Sequence, residues 1–249
     1  MKKNFAIFTG LALTCTVAFM SCAKDEAKVA STDYSFTEEF DTITKVVSRG
    51  WVIANNTRPL GTISWMQGQN YISMYHGYTP GKTGGPYNYL FGQGMTANPA
   101  FSGTDFIMTT SECGAGTAYC SNWLISPEIT MKNDDLIYFY TRTYDNPAIA
   151  ADRLEVRLNS TNTSADVGRD INSVGNFTTE LLTINPDLQL DGDDSYPGEW
   201  TQYMIKVTGM PVAKKARVAF RYYVPDGGPQ GNNGLGVGID KFEFVSIPK

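Results

Sequence analysis

A chain of 249 residues with one histidine, His76, and four cysteines offers few routes to covalent chemistry. His76 lies between Tyr75 and Gly77, with no serine or cysteine beside it to activate. Acids are plentiful, but no spacing singles out the two carboxylates that glycoside hydrolysis needs. The Asp191, Asp193 and Asp194 run has a D-x-D spacing without the downstream Glu of a calcium loop, and reads as a solvated turn. Asp240 is different. In the last apolar run Val237 and Ile239 occupy odd positions, whereas Phe242 and Phe244 occupy even ones. Side chains alternate strictly along a strand, so both pairs reach one core only if a bulge lies between them. Asp240 sits at that break, where a bulge would re-aim its carboxylate onto a metal or into a buried hydrogen bond.

The cysteines divide by position. Lys2 and Lys3 followed by the short apolar run Phe5 to Phe19 form an export signal, too short and too polar to span a bilayer. Phe19-Met20-Ser21-Cys22 resembles a lipobox, and the charged Lys24-Asp25-Glu26 behind it resembles the surface-export signals of Bacteroidota lipoproteins. Residues 1–21 are then the signal, Cys22 the lipidated residue and 22–33 a tether, which anchors the chain to the outer membrane, exposed at the cell surface. Cys15 leaves with the signal. Cys113 and Cys120 remain as an even pair in an oxidising compartment, and a structural disulfide across the glycine-rich loop between them is expected.

Aromatic residues supply the second chemical theme. Tyr71 to Ala97 is dense in Tyr, Gly, Pro and Asn and has no clear period, the texture of a functional loop or a flexible insertion. Tyr71, Tyr75, Tyr78, Tyr87 and Tyr89, with Trp65 just upstream, offer flat apolar faces with polar tips suited to a glycan. The chain carries -5 overall. Without Lys2 and Lys3 it has 18 basic against 25 acidic residues, near -7. Such an acidic surface argues against nucleic acid as partner.

The elements that must hold these residues are strands. Leu154, Val156 and Leu158 alternate with Arg153, Glu155 and Arg157, a strand with one wet face. Leu136 to Tyr140 is apolar on both faces, which places it centrally. Further strand-like runs cover Tyr34 to Phe40, Gly50 to Ala54, Asn122 to Thr130, Phe177 to Asn185, Trp200 to Val207, Arg217 to Val224 and Leu235 to Val245. About nine strands and no long amphipathic helix predict an all-β fold, an antiparallel β-sandwich over residues 34–249.

Several blocks in order resemble choice-of-anchor J domains, relatives of the cleaved-adhesin and MAM jelly rolls. They are Glu39-Phe40, Gly50-Trp51, Ser121 to Pro127, Phe139 to Thr143, Asp152 to Arg157, Glu199 to Tyr203, Val218 to Tyr222 and Gly238-Ile239-Asp240. The 71–97 stretch is extra relative to that pattern. The resemblance implies a jelly roll, galactose-binding-like in layout, with a structural Ca2+ held by Glu39, Asp41 and Asp240. Asn55 adds an amide oxygen, although Lys241 stands where a second Asp is common. It implies a surface binding or adhesion domain for a glycan or a host or matrix glycoprotein. A structural part of a surface assembly and a carbohydrate-active enzyme are the alternatives.

Overall fold

The computed structural model describes residues 33–68, 100–143 and 150–248. Its strands in chain order are β1 Phe36–Glu38, β2 Val52–Asn55, β3 Arg58–Leu60, β4 Met66–Gln67, β5 Ile107–Thr110, β6 Gly114–Ile125 and β7 Ile129–Met131. They continue as β8 Leu136–Arg142, β9 Leu154–Asn159, β10 Thr179–Ile184, β11 Thr201–Lys206, β12 Lys214–Gly227 and β13 Gly236–Val245. One short helix, α1 (Ile43–Ser48), follows β1, and a 3-10 turn covers Ser111–Cys113. All strand pairings are antiparallel, and they form two sheets.

The first sheet runs β11-β8-β13-β5-β4, with β1 also on β13. The second runs β10-β9-β12-β6-β2, with β3 on β6 and β7 on β12. Alternation explains which face each strand buries. Leu154, Val156 and Leu158 of β9 and Val218, Phe220 and Tyr222 of β12 point inward and are buried. The facing sheet supplies Ile137, Phe139, Ile239, Phe242 and Phe244. Rings meet across the gap: Phe139 lies 5.0 Å edge-on from Phe220, and Trp51 lies 5.4 Å edge-on from Phe242. Each such ring removed from water contributes roughly 1.5–3 kcal/mol, which makes this layer the main source of stability. β8 lies between β11 and β13, the central place its two-sided apolar sequence predicts.

Both outer faces carry a smaller apolar cluster under a connecting segment. On the first sheet Phe106 and Met108 pack with Trp200 and Leu235. On the second, Trp123, Ile125 and Ala219 are covered by Val167 and Phe177.

The segment between Cys113 and Cys120 departs from expectation. Gly114 to Tyr119 is the first half of the twelve-residue β6, paired with β3, and not a flexible loop. A Cβ on Gly114 would collide with Ala118, so the glycine answers to close packing rather than to chain mobility. Both thiols are free and fully buried. A hydrogen bond with the adjoining Cys113 side chain, together with burial, raises the pKa of Cys120.

At one end of the sandwich a single buried carboxylate ties four segments together. Asp152 accepts from Thr143 Oγ1 (2.5 Å), Tyr222 Oη (2.7 Å) and the backbone amides of Leu235 and Gly236 (both 3.0 Å). Burial pushes its pKa up to about 7 against the pull of those donors. The folded state therefore holds a proton that the unfolded chain releases near the ordinary aspartate value of 3.8. The contribution of Asp152 is full below that value and falls as pH rises through about 7, by at most roughly 1.4 kcal/mol per pH unit. The stability difference between wild type and Asp152→Asn, measured by urea unfolding at successive pH values, is expected to shrink from pH 4 to pH 8. A flat difference would contradict the assignment.

Candidate functional site

The parity break in the last strand is real and sits at the residue expected. The register of β13 on β8 shifts between Asp240 and Glu243, and Lys241 takes a left-handed φ of 46°. The other edge of β13 changes partner at the same place. β5 pairs with Gly236 to Ile239, and β1 pairs with Phe242 to Phe244. Asp240, 0 % exposed, therefore faces the segment from Phe101 to Asp105 across a gap between two partner strands.

Backbone amides fill that gap. Asp240 Oδ2 accepts from Phe101 N (2.8 Å) and Ser102 N (2.9 Å), and Oδ1 accepts from Lys241 N (2.7 Å). Ser102 Oγ donates to Glu39. Asp41 Oδ1 accepts from Thr104 N (2.5 Å), Thr104 Oγ1 (3.1 Å) and Asp105 N (3.1 Å). Phe40, between the two acids, has φ of 56° and buries its ring on Trp51, so Glu39 and Asp41 both reach the segment. Gly103, at φ of 61°, lies so near Asp41 that a Cβ would strike the carboxylate. Phe101 stacks on Tyr140 with centroids 3.6 Å apart. Burial, with a smaller push from the Glu39 charge, raises the Asp240 pKa to about 7 despite its three amide donors.

The structure thus gathers Glu39, Asp41 and Asp240 around one segment, but with N–H and O–H groups facing their oxygens. Ca2+ requires six to eight oxygens converging on one point. Among the described residues no group of three or more acidic, His or Cys side chains is arranged to hold a metal. As arranged, these residues do not fit Ca2+. Of the two roles open to Asp240, the geometry is that of the buried hydrogen bond. Asn55 does not join them: its amide donates to Cys113 O (3.1 Å), and its oxygen accepts from Thr57 N (3.0 Å).

Trp65, expected at a ligand surface, is 3 % exposed and belongs to the main core, which shields its ring from any ligand. Tyr71, Tyr75, Tyr78, Tyr87, Tyr89 and Cys22 lie outside the described residues. Asp193 and Asp194 line an open cleft of about 350 Å³ at the sandwich edge, with Asn185, Gln189 and Tyr203.

A second constellation, absent from the sequence reading, lies on the outer face of the second sheet beyond the covering segment. Register brings together Arg58 and Tyr119, which are cross-strand partners. Tyr223 lies diagonally next to Tyr119 at 5.1 Å between ring centroids. On its other side the Tyr223 amide bonds Arg153 O. The result is an Arg-Tyr-Tyr-Arg row across neighbouring chains of the sheet. Arg153 is fixed by Nε to Tyr223 O (2.6 Å), by Nη1 to Pro186 O (3.2 Å) and by lying 4.8 Å from the Tyr223 ring. Beneath the row, buried Arg221 sits 3.5 Å from the Tyr223 ring and pairs with Glu155 at 3.2 Å. The Tyr223 hydroxyl donates to Asn172 Oδ1 (2.9 Å).

The fold is similar to adhesin and carbohydrate-binding sandwiches of known structure. The K1 cleaved adhesin domain of Lys-gingipain from Porphyromonas gingivalis aligns over 86% of this chain and 98% of its own, at 17% identity and a TM-score of 0.49. The K2 domain of the same protein covers 86% and 98% at 19% identity and a TM-score of 0.43. A carbohydrate-binding module of the β-sandwich superfamily covers 84% and 62% at 10% identity and a TM-score of 0.42. No family model and no curated protein matches the chain. Identities this low leave function to the side chains themselves.

A faint signal for the row was present in the alternation of Arg221 and Tyr223 against Phe220 and Tyr222. For the clamp, replacing Asp240 by Ala strips three backbone amides of their acceptor and is expected to destabilise by roughly 2–4 kcal/mol. Thermal melts should show the same loss in Ca2+ and in EDTA. A Ca2+-dependent rise in wild-type Tm that Asp240→Ala abolishes would show that a cation displaces the amides.

Proposed function

We propose that this chain is a non-catalytic binding module, lipid-anchored through Cys22 to the outer membrane and exposed at the cell surface, that binds glycans or glycoproteins. The observation that carries the reading is the half-buried Tyr119 and Tyr223 pair on the outer face of the second sheet, flanked by Arg58 and Arg153. Tyrosine rings give the apolar C–H faces of a sugar contact area at low entropy cost, while their hydroxyls and the guanidinium N–H groups serve its oxygens. Sheet register presets the row, so little ordering accompanies binding. Asp41 and Asp240 are engaged by backbone amides and Glu39 by the Ser102 hydroxyl, and all three serve the fold. Cys113 and Cys120 stand as free thiols side by side in this structure, and we propose that the oxidising compartment that export implies converts them to a bridge.

On a glycan array the full chain is expected to bind a defined set of saccharides. Tyr119→Ala should weaken that binding about tenfold, ~1.4 kcal/mol, with the melting temperature little changed. Equal binding by the variant would move the recognition surface elsewhere. For the anchor, Cys22→Ala is expected to shift the protein from the membrane to the soluble fraction, and unchanged fractionation would refute lipidation.

A further inference from the structure

From the same row, and resting on the glycan reading above, we infer that the site selects acidic saccharides, those bearing sulfate ester or uronate groups, over neutral ones. The chain is acidic as a whole at -5, yet this end of the second sheet carries Arg58 and Arg153, with Arg58 reaching the backbone of a third arginine, Arg169. Among the described residues none of the three forms an ion pair with a carboxylate. The arginines deeper on the same face are treated otherwise. Arg221 pairs with Glu155, and Arg157 pairs with Glu155 and Glu180. Charge is therefore neutralised where the face is covered and left open where it is bare.

The bare arginines are held for use. Arg153 spends Nε and one Nη1 hydrogen on carbonyl oxygens, and those bonds with the Tyr223 ring fix the guanidinium plane. Its Nη2 makes no hydrogen bond among the described residues. Arg58 is anchored on Thr57 O and on Arg169 O. A guanidinium whose anchors are neutral carbonyls keeps its full charge for an incoming oxyanion, and can meet it with two parallel N–H bonds. The nearest acid on the covering segment, Asp170, accepts from Asn172 N and Ser173 N in its own turn. The four residues span three inter-strand spacings, about 14 Å, which suits a short oligosaccharide more than a single ring.

The experiment is isothermal titration of the full chain with three hexasaccharides, one sulfated, one uronate and one neutral glucan, at two salt concentrations. The expected result is at least tenfold tighter binding of one acidic probe than of the neutral one, with most of the advantage lost between 50 mM and 500 mM salt. Arg58→Gln, at an exposed position, should lower affinity for the acidic probe about fivefold or more and for the neutral probe by much less, since only the charge-dependent part of the contact is lost. Arg153→Gln should do the same, with circular dichroism to establish folding. The two acidic probes decide between sulfate and uronate as the source of the oxyanion. Equal binding of neutral and acidic probes, or arginine variants without effect, would overturn the charge selection while leaving glycan binding standing. Inorganic sulfate competing as well as the sulfated hexasaccharide would also overturn it, as a bare anion site. No binding of any probe, with Tyr119→Ala silent on the array, would remove the glycan reading itself.

Discussion

The break in β13 is the constraint on which the first sheet depends. An odd-to-even change of parity forces an unpaired residue, and the left-handed φ of Lys241 absorbs it. Because the neighbouring edge is served by β5 before the break and β1 after it, the first and last strands meet only if the break is stabilised. A buried carboxylate alone would be costly. Three backbone amides aimed at Asp240 offset that cost and in the same act hold the Phe101 to Asp105 segment on the sheet. The acids that resemble a metal cage are thereby employed as hydrogen-bond acceptors.

The two outer faces show how the same device leads to different ends. Each has an apolar cluster capped by a crossing segment, Phe106 with Trp200 on one and Trp123 with Phe177 on the other. On the first sheet the cover extends over Asp240 through Phe101 stacked on Tyr140. On the second, the cover stops at Asn172, which touches the Tyr223 hydroxyl. Beyond that residue, among the described residues, Tyr119, Tyr223 and Arg153 are half-buried and Arg58 is exposed, and sheet surface bearing accessible rings and charge is where ligand contact is cheapest to build.

What could be seen in the sequence was what is local along the chain. The alternation in β9, the apolar run of β8 and the parity break at Asp240 each lie within one strand, and each matched the structure. The Gly114 to Tyr119 run misleads because glycine in sequence reads as mobility, whereas Gly114 is small to admit Ala118. Trp65 misled because neighbourhood in sequence with the tyrosine-rich stretch says nothing of which way a ring points. The Arg58, Tyr119, Tyr223 and Arg153 row was illegible for a deeper reason. Its members come from separate strands, and only register, set by the whole sheet, puts them side by side.

The buried Arg221 beneath that row is best understood through what it holds in place. Desolvation lowers its pKa, so its burial is a cost that Glu155 only partly offsets. An apolar residue there would join the Trp123 cluster at less expense. Yet the guanidinium bonds Ser121 Oγ at 3.1 Å and Ile171 O, and lies against both the Trp123 and Tyr223 rings. It thereby joins β6, the end of the covering segment and the Tyr223 ring in one planar, directional contact. An aliphatic side chain could fill the volume but not set those angles. The structure keeps an expensive charge at the place where the orientation of a half-buried aromatic row has to be fixed from below.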